Sequence, residues 1–421
     1  MSEAWRPLLA GDEADRAADV VAEIAAVLRS TSPVNGERRH TLATGTPGEV
    51  LLYHYLALST EGNGYESAGE RLRGECVQLL ADVRMDASLY HGFCGVLWVL
   101  AHTDERWSRP AARSPSAKID TALRAHLATS PWRGRYDLVS GLAGLGVYAL
   151  ERLPDPLAVD CLERVVNRLD ELAEHTDAGV TWRTAADLLP ADQRVQAPDG
   201  YANLGVAHGV PGAVAVLAAA AAAGVAVERS RALATGAVSW LLEQRLPEEG
   251  TVRFAYWLTP AGTPRPARSA WCYGDPGVAA ALLSAARCLG ESAWEQEALE
   301  LAVRAARRPV EESGVTDAGL CHGAAGLGHI FNRLYQSTGD AELASAARFW
   351  LGRALELRCP GYGVAGFAAD AAGEDPRQAD RGFLMGAAGI ALALAAAFSE
   401  VEPAWDRLML LSPPRDSVAS R

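Results

Sequence analysis

The sequence is short of positive charge. Its 39 lysine and arginine residues are outnumbered by 52 aspartate and glutamate residues, which gives a formal net charge of −13. Nucleic-acid binding depends on a basic face that neutralises phosphates. This balance therefore argues against nucleic acid as the main partner.

Cysteine is also scarce, with 7 residues in a chain of 421. An odd number at irregular spacing is not the pattern of a disulfide framework. A reducing compartment is the simpler expectation.

A membrane-spanning stretch is missing as well. The most apolar run, residues 212–227, is mostly alanine and is shorter than the ~20 residues that a span requires. The first residues mix acidic and basic side chains with apolar ones and lack the basic start and apolar block of a secretion signal. We expect a cytoplasmic protein with no membrane span.

A Gly-x-x-Gly pattern, followed each time by an apolar run, is present in abundance. The seven repeats, numbered in chain order, begin at Gly45, Gly92, Gly141, Gly209, Gly274, Gly323 and Gly386. By subtraction, the steps between these glycines are 47, 49, 68, 65, 49 and 63 residues. Amphipathic segments such as 161–175 and 294–308 lie between the apolar runs and are typical of helices.

Each repeat therefore predicts an apolar inner helix and an amphipathic outer helix. Closing such pairs into a ring would bury every inner helix, so we predict an all-α chain that forms an α/α barrel. One domain is predicted for residues 1–421, with the barrel over about 40–400 and a flexible tail at 412–421. Two insertions, 178–201 and 250–266, break the pattern with irregular or short β structure. The second is predicted to contain a short strand at 251–258 followed by a Pro/Gly loop. Both insertions could be lids or specificity loops.

Residues just before each Gly-x-x-Gly would converge at one end of such a barrel. Cys272 and Cys321 occupy the same position in repeats 5 and 6, and His322 follows the second cysteine. Two thiolates and an imidazole provide three corners of a tetrahedral zinc site and leave the fourth for water or substrate. We predict one zinc ion (Zn2+) per chain at these three residues, whereas Cys94 is out of register and is assigned to the core.

These motifs resemble a known family. Trp-Cys-Tyr-Gly-x-Pro-Gly at 271–277, Cys-His-Gly-x-x-Gly at 321–326 and the seven repeats are together similar to the lanthionine synthetase C-like cyclases, over about residues 40–400. The resemblance implies an α/α toroid, a double helical barrel of seven inner and seven outer helices with zinc at one end. It also implies a lyase-class enzyme of antibiotic biosynthesis, which adds cysteine thiols of a lanthipeptide precursor to dehydroalanine or dehydrobutyrine and so forms thioether rings.

The resemblance also assigns roles to further residues. His208, in Ala-His-Gly-Val-Pro-Gly, matches the acid/base histidine of the family, and Asp137 matches its active-site aspartate. Arg268 and Tyr273 match its active-site arginine and tyrosine. Asp137 has a structural alternative as a helix cap, because it lies four residues before Gly141.

The expected substrate is a dehydrated precursor peptide with a leader and a core. The chain has no kinase-like or dehydratase-like region, so a separate dehydratase would be needed, and an exporter is a further expected partner. Trp271 is expected to form a wall of the pocket, and His91 is expected either to support the site residues by contacting them or to have a packing role.

Other functions remain open from the residues alone. A protein of the same fold could add glutathione or another small thiol to dehydroamino acids in proteins. An α/α-barrel glycosidase would need two carboxylates ~5 to 10 Å apart, for which Asp137 and Asp275 are the candidates. A non-catalytic peptide-binding scaffold is the third alternative.

Overall fold

The computed structural model describes residues 4–31, 39–60, 62–109, 114–260, 262–368 and 379–412. Most of these residues are helical. In chain order the elements are α1 (Asp12–Ser30), α2 (Thr46–Ser59), α3 (Tyr65–Asp82), α4 (Phe93–Thr103), α5 (Glu105–Ser108), α6 (Ala117–Leu127), α7 (Leu142–Glu151), α8 (Pro156–Leu172), β1 (Glu174–Thr176), β2 (Gly179–Thr181), α9 (Ala191–Gln196), β3 (Ala202–Asn203), α10 (Val210–Ala222), α11 (Val227–Glu243), β4 (Trp257–Leu258), α12 (Asp275–Leu289), α13 (Ser292–Ala306), α14 (Val310–Ser313), α15 (Ala324–Thr338), α16 (Ala341–Glu356) and α17 (Ala387–Phe398). Short 3-10 helices cover Ala186–Leu188 and Ala404–Met409. The predicted tail at 412–421 lies outside the described residues except for Ser412.

The seven Gly-x-x-Gly repeats each start a helix, as predicted. These helices are α2, α4, α7, α10, α12, α15 and α17, and each begins at the residue after the first glycine of its repeat. In α10, every residue from Val210 to Ala221 is buried. Because the core surrounds such a helix on all sides, its sequence has no polar face.

The second glycine of a repeat lies so close to another part of the main chain that a side chain would not fit. A Cβ atom on Gly144 would lie 2.3 Å from the carbonyl oxygen of Leu138, and one on Gly277 would lie 2.2 Å from that of Trp271. In both repeats the carbonyl belongs to the residue six positions earlier. At these two glycines the close neighbour is the loop that leads into the same helix.

One of two compact units is built from both ends of the chain. It comprises Met1–Asp86, Tyr90–Thr103 and Ala306–Asp406, and so contains repeats 1, 2, 6 and 7. Within it α17 packs against α1, α2 and α15, and α16 packs against α15. The buried residues Glu49 and Arg381 form a bidentate ion pair, with both N–O distances at 2.8 Å, which joins the loop of repeat 7 to α2.

The other unit comprises Ala87–Leu89, Asp104–Ala305 and Arg407–Arg421, and contains repeats 3 to 5. Within it α10 packs against α7, α11 and α12. Its strands form two antiparallel pairs, β1 with β2 and β3 with β4, and Asn203 of β3 is paired with Trp257 of β4. The single domain over 1–421 stays a prediction.

Two boundaries differ from those expected. The segment 161–175 was expected to be helical throughout, but α8 ends at Leu172 because Ala173 is extended and the next three residues form β1. The expected strand at 251–258 is reduced to Trp257–Leu258, with an isolated bridge between Ala255 and Pro266. Within the described ranges, we find no helix whose length and hydropathy would suit a membrane span.

Candidate active site

Main-chain hydrogen bonds tie the loops before the inner helices to one another at one position, two residues before the first glycine. In the unit with repeats 6, 7, 1 and 2, the N–H of Cys321 donates to the carbonyl of Leu384 at 2.9 Å. Leu384 donates in turn to Ala43 at 2.9 Å, and Ala43 donates to Tyr90 at 3.0 Å. Equivalent residues of successive repeats are therefore neighbours.

The same pattern holds in the unit with repeats 3 to 5. The N–H of Val139 donates to the carbonyl of Ala207 at 3.3 Å, and that of Ala207 donates to the carbonyl of Cys272 at 3.4 Å. Cys272 thus occupies in repeat 5 the position that Cys321 occupies in repeat 6. The shared register predicted for the two cysteines is present in the structure.

Cys272, Cys321 and His322 form a group of potential metal ligands. The two sulfur atoms and an imidazole nitrogen all lie within 4.8 Å of one another. Zinc bonds of about 2.0–2.3 Å would hold tetrahedral ligands roughly 3.3–3.8 Å apart, so small side-chain adjustments would suffice. Two thiols and an imidazole are donors that suit zinc, and none of the seven cysteines, all of which lie in described residues, forms a disulfide.

The carboxylate of Asp317 lies next to the imidazole of His322, and Asp317 was not among the site residues predicted from the sequence. Its Oδ1 accepts the N–H of Gly319 at 2.7 Å, and its Oδ2 lies 3.4 Å from Nε2 of His322. A carboxylate in this place fixes the orientation of a metal-binding imidazole. The available signal was positional, because repeats 2 and 7 also have aspartate, Asp86 and Asp380, six residues before the first glycine.

His208 and Asp137 are paired. Nδ1 of His208 lies 3.1 Å from Oδ2 of Asp137, and the histidine side chain is 32% exposed. Burial would raise the pKa of Asp137, but the hydrogen bond and charge of His208, the Ser140 N–H and the nearby Arg135 outweigh it and lower that pKa. The ionised carboxylate can only accept, so His208 carries a hydrogen on Nδ1, and Nε2 is the ring nitrogen that does not face Asp137.

The alternative role of Asp137 as a cap is compatible with this pairing. Its Oδ1 accepts the N–H of Ser140 at 2.7 Å, while Oδ2 faces His208. Helix α7 begins one residue after Gly141, which is itself the N-cap, so Asp137 secures the turn that precedes the helix. Its catalytic role stays a prediction.

Tyr273 belongs to an aromatic cluster beside His208. The centroids of these two rings are 6.3 Å apart. The Tyr273 ring also lies 5.1 Å from that of Tyr256 and 6.5 Å from that of Trp257, both of which are partly exposed. The insertion at 250–266 therefore adds a partly exposed aromatic wall next to the histidine.

Arg268 is held by its main chain within the same loop. Its N–H donates to the hydroxyl of Tyr256 at 3.2 Å. Its carbonyl oxygen lies 1.9 Å from where a Cβ on Gly274 would be, and Gly274 has a φ of +88°, so glycine is needed there on both counts. The role of the guanidinium group stays a prediction.

The structure contradicts the expectation for Trp271 and one of the two alternatives for His91, and it confirms the expectation for Cys94. Trp271 is completely buried and its indole N–H donates to the carbonyl of Met409 at 2.9 Å, so it belongs to the core and forms no pocket wall. His91 is exposed, so the packing alternative is wrong, and its supporting role stays a prediction. Cys94 is completely buried, as a core residue should be.

Asp275 is an anchor for the insertion. Its Oδ2 accepts the N–H of Arg253 at 2.9 Å, its Oδ1 accepts that of Phe254 at 3.1 Å, and the residue is only 3% exposed. A glycosidase would need two carboxylates facing the substrate. With Asp275 engaged in this way, the carboxylate pair required by the glycosidase alternative is lacking at these two positions.

Comparison with known proteins finds a matching family, a related sequence and a related structure. The profile of the family described as Lanthionine synthetase C-like protein matches residues 36–410. The nisin biosynthesis protein NisC of Lactococcus lactis subsp. lactis is 24% identical over 325 residues, which cover 70% of this chain and 74% of that protein. A solved structure of nisin cyclase matches with a TM-score of 0.74 at 21% identity, covering 94% of this chain and 97% of that one.

The likeness to the solved structure shows the fold and confirms the predicted all-α, α/α-toroid class. The family profile covers nearly the whole of the repeat region and both cysteine motifs. The chain therefore belongs to the lanthionine synthetase C-like family.

Proposed function

We propose that this chain is a zinc-dependent lanthipeptide cyclase, which forms lanthionine and methyllanthionine rings in a dehydrated precursor peptide. The observation that carries the proposal is the grouping of the donor atoms of Cys272, Cys321 and His322 within 4.8 Å, in a chain of this family. The names of its relatives, a nisin biosynthesis protein and a nisin cyclase, support a peptide substrate.

Cys272, Cys321 and His322 would hold the ion, and Asp317 would orient the imidazole. When bound, zinc with an open position supplies a cation that favours the thiolate form of a substrate thiol. The two cysteines of the protein offset part of that charge, so the attacking sulfur stays electron-rich.

The proposed reaction adds S–H across the carbon–carbon double bond of dehydroalanine or dehydrobutyrine. The sulfur bonds to the β-carbon, the π electrons move to the carbonyl oxygen, and the α-carbon of the resulting enolate gains a proton. We assign both proton transfers to Nε2 of His208, which takes the proton that the thiol loses and returns it to the α-carbon. Asp137 would stabilise the imidazolium between these steps.

Arg268 and Tyr273 are the proposed donors toward the developing enolate oxygen. The partly exposed rings of Tyr256 and Trp257 would contact the peptide beside the reacting residues. A dehydratase, an exporter and a cytoplasmic location remain predictions, as does the identity of the precursor.

The test uses the purified chain with a panel of dehydrated precursor peptides. Ring closure leaves the peptide mass unchanged but removes free thiols, so thiol alkylation followed by mass spectrometry measures it. We expect zinc in the purified protein, loss of alkylation in the product, loss of activity with a chelator and recovery with added zinc. A glutathione adduct without ring closure would favour the small-thiol alternative, and intact thiols with every peptide would favour the scaffold.

A further inference from the structure

Asn203 is completely buried at the end of β3, and both ends of its side-chain amide are engaged. Its Oδ1 accepts the N–H of Gly205 at 2.9 Å, and its Nδ2 lies 3.2 Å from the hydroxyl oxygen of Tyr273. A backbone N–H can only donate, so the atom that faces Gly205 must be the oxygen. The atom that faces Tyr273 is therefore the NH2 group.

An amide NH2 group donates and does not accept. The hydroxyl oxygen of Tyr273 must then accept from Asn203, and its own proton points elsewhere. The ring of Tyr273 lies 6.3 Å from that of His208. We propose that Asn203 is a positioning residue, which fixes the Tyr273 hydroxyl as a hydrogen-bond donor toward the oxygen that gains charge in the reaction.

The other repeats show why an amide at this position requires an explanation. Six residues before the first glycine, repeats 2, 6 and 7 have aspartates, namely Asp86, Asp317 and Asp380. Asp317 and Asp380 make the same turn as Asn203, because each Oδ1 accepts the N–H two residues later at 2.7 Å. The turn needs only an oxygen, which aspartate supplies, so the turn does not account for the NH2 group of Asn203. That group faces the Tyr273 hydroxyl at 3.2 Å, and the Asn203 side chain also makes a hydrogen-bonding contact with Tyr201.

Asp317 uses its second oxygen in a parallel way. Its Oδ1 makes the turn, and its Oδ2 faces His322 at 3.4 Å. In repeats 4 and 6 alike, one atom of the side chain secures the loop and the other contacts a residue of the proposed site. The partner explains which residue is present. Asn203 faces a phenol oxygen, which can accept from an amide, and Asp317 faces an imidazole, whose N–H can donate to a carboxylate.

The substitution Asn203→Asp tests this inference with little change of shape. It keeps an acceptor for Gly205 but presents an oxygen to Tyr273, which would then donate to the introduced carboxylate. We expect kcat for ring closure to fall about 100-fold, with KM nearly unchanged. In a Tyr273→Phe background the same substitution should cause no further loss of kcat. An equal loss in both backgrounds would overturn the inference.

A second variant guards against a failure to fold, because Asn203→Asp buries a charge. Asn203→Ala adds none, although it also removes the acceptor of the Gly205 N–H. It should lower kcat less than Asn203→Asp does in the wild-type background, and its effect should be clearly smaller in Tyr273→Phe. An equal loss from Asn203→Ala with and without the Tyr273 hydroxyl would again overturn the inference.

Because the inference rests on the proposed function, one measurement is made without substrate. Tyrosine labelled with 13C at Cζ reports the hydrogen bonding of its hydroxyl, and Tyr273→Phe identifies the resonance of Tyr273. We expect that resonance to shift in Asn203→Asp. A shift without ring closure by the wild-type chain would refute the proposed function alone, whereas an unmoved resonance would refute the role of Asn203.

Discussion

Nδ1 of His208 and Oδ2 of Asp137 lie 3.1 Å apart, and this side-chain pair joins repeat 4 to repeat 3. The main chain makes a second link between the same repeats, from Val139 to Ala207 at 3.3 Å. The position of His208 is therefore fixed by the main-chain hydrogen bond at the preceding residue, Ala207, and by the buried, ionised side chain of Asp137. Such a pairing selects one tautomer and one ring orientation.

Asp137→Asn should abolish most of the activity without loss of metal. The introduced amide can still accept from Ser140 with its oxygen and would then present its NH2 group to Nδ1 of His208. The hydrogen would move to Nε2, which could no longer take a proton from the thiol. We expect kcat to fall by about 10²- to 10⁴-fold, as measured by single-turnover ring closure, with zinc content unchanged.

Ser140→Ala is the matched control, because the exposed serine side chain is removed while the backbone N–H that donates to Asp137 remains. This variant should keep its activity. If Asp137→Asn cyclised at the wild-type rate, the carboxylate would have no part in the mechanism.

Cys272→Ala and Cys321→Ala should each lose bound zinc. The helices are held by packing of their apolar faces, so the circular-dichroism spectrum should stay helical while metal analysis falls from about one ion per chain toward none. Cys359→Ala removes an exposed free thiol and should leave the zinc content unchanged. Full zinc occupancy in both ligand variants would show that the ion is bound elsewhere.

Two glycine substitutions should change stability in opposite directions. Gly144→Ala places a Cβ 2.3 Å from the Leu138 carbonyl oxygen, and should lower the free energy of unfolding by about 1–3 kcal/mol. Gly352→Ala, inside α16, meets nothing within 4 Å and should raise it by about 0.5–1 kcal/mol. Denaturant titration measures both values, and a destabilised Gly352→Ala would argue against the packing described here.

His329 should make stability depend on pH. It is fully buried on α15, with Nε2 at 2.9 Å from Oδ2 of Asp406 and its ring stacked at 4.5 Å on Trp405. Arg333 also binds Asp406, with Nε at 2.8 Å. Burial lowers the pKa of His329 from its usual 6.5 by more than Asp406 raises it, so the folded chain favours the neutral ring.

The sign of the effect follows from this lowered pKa. Below about pH 6.5 the unfolded chain takes up a proton that the folded chain resists. The stabilisation due to His329 is therefore complete above that pH and is lost as the pH falls through the lower folded pKa. Denaturant midpoints between about pH 8 and pH 5 should decline less steeply for His329→Gln than for the wild type, and equal slopes would contradict the assignment.

The helix starts and the register of the cysteines could be predicted from the sequence because both depend on local spacing. Glycine at fixed positions marks where a loop folds back on its own helix, and Cys272 and Cys321 share one offset from that mark. Local spacing does not show in which direction a side chain points. Trp271 adjoins Cys272, yet it points into the core toward Met409, a partner 138 residues away.

The insertion at 250–266 shows a second limit. The sequence predicted a short strand over 251–258, but the N–H groups of Arg253 and Phe254 donate to the carboxylate of Asp275. A side chain from the next helix therefore replaces a strand partner, and only Trp257 and Leu258 remain as β4. The roles proposed for Asn203 and Asp317 could not be predicted from the sequence either, because they depend on which atom of each side chain faces which neighbour.

The main-chain links between successive loops leave the side chains at that position free to differ. N–H and C=O groups make the connection, so residue identity can change while the frame persists. Two residues before the first glycine, the seven repeats have small, branched, aromatic and sulfur-containing side chains, namely Ala43, Tyr90, Val139, Ala207, Cys272, Cys321 and Leu384. Within each unit, a single substitution at this position can therefore add or remove a reactive side chain without breaking the main-chain hydrogen bonds that join the loops.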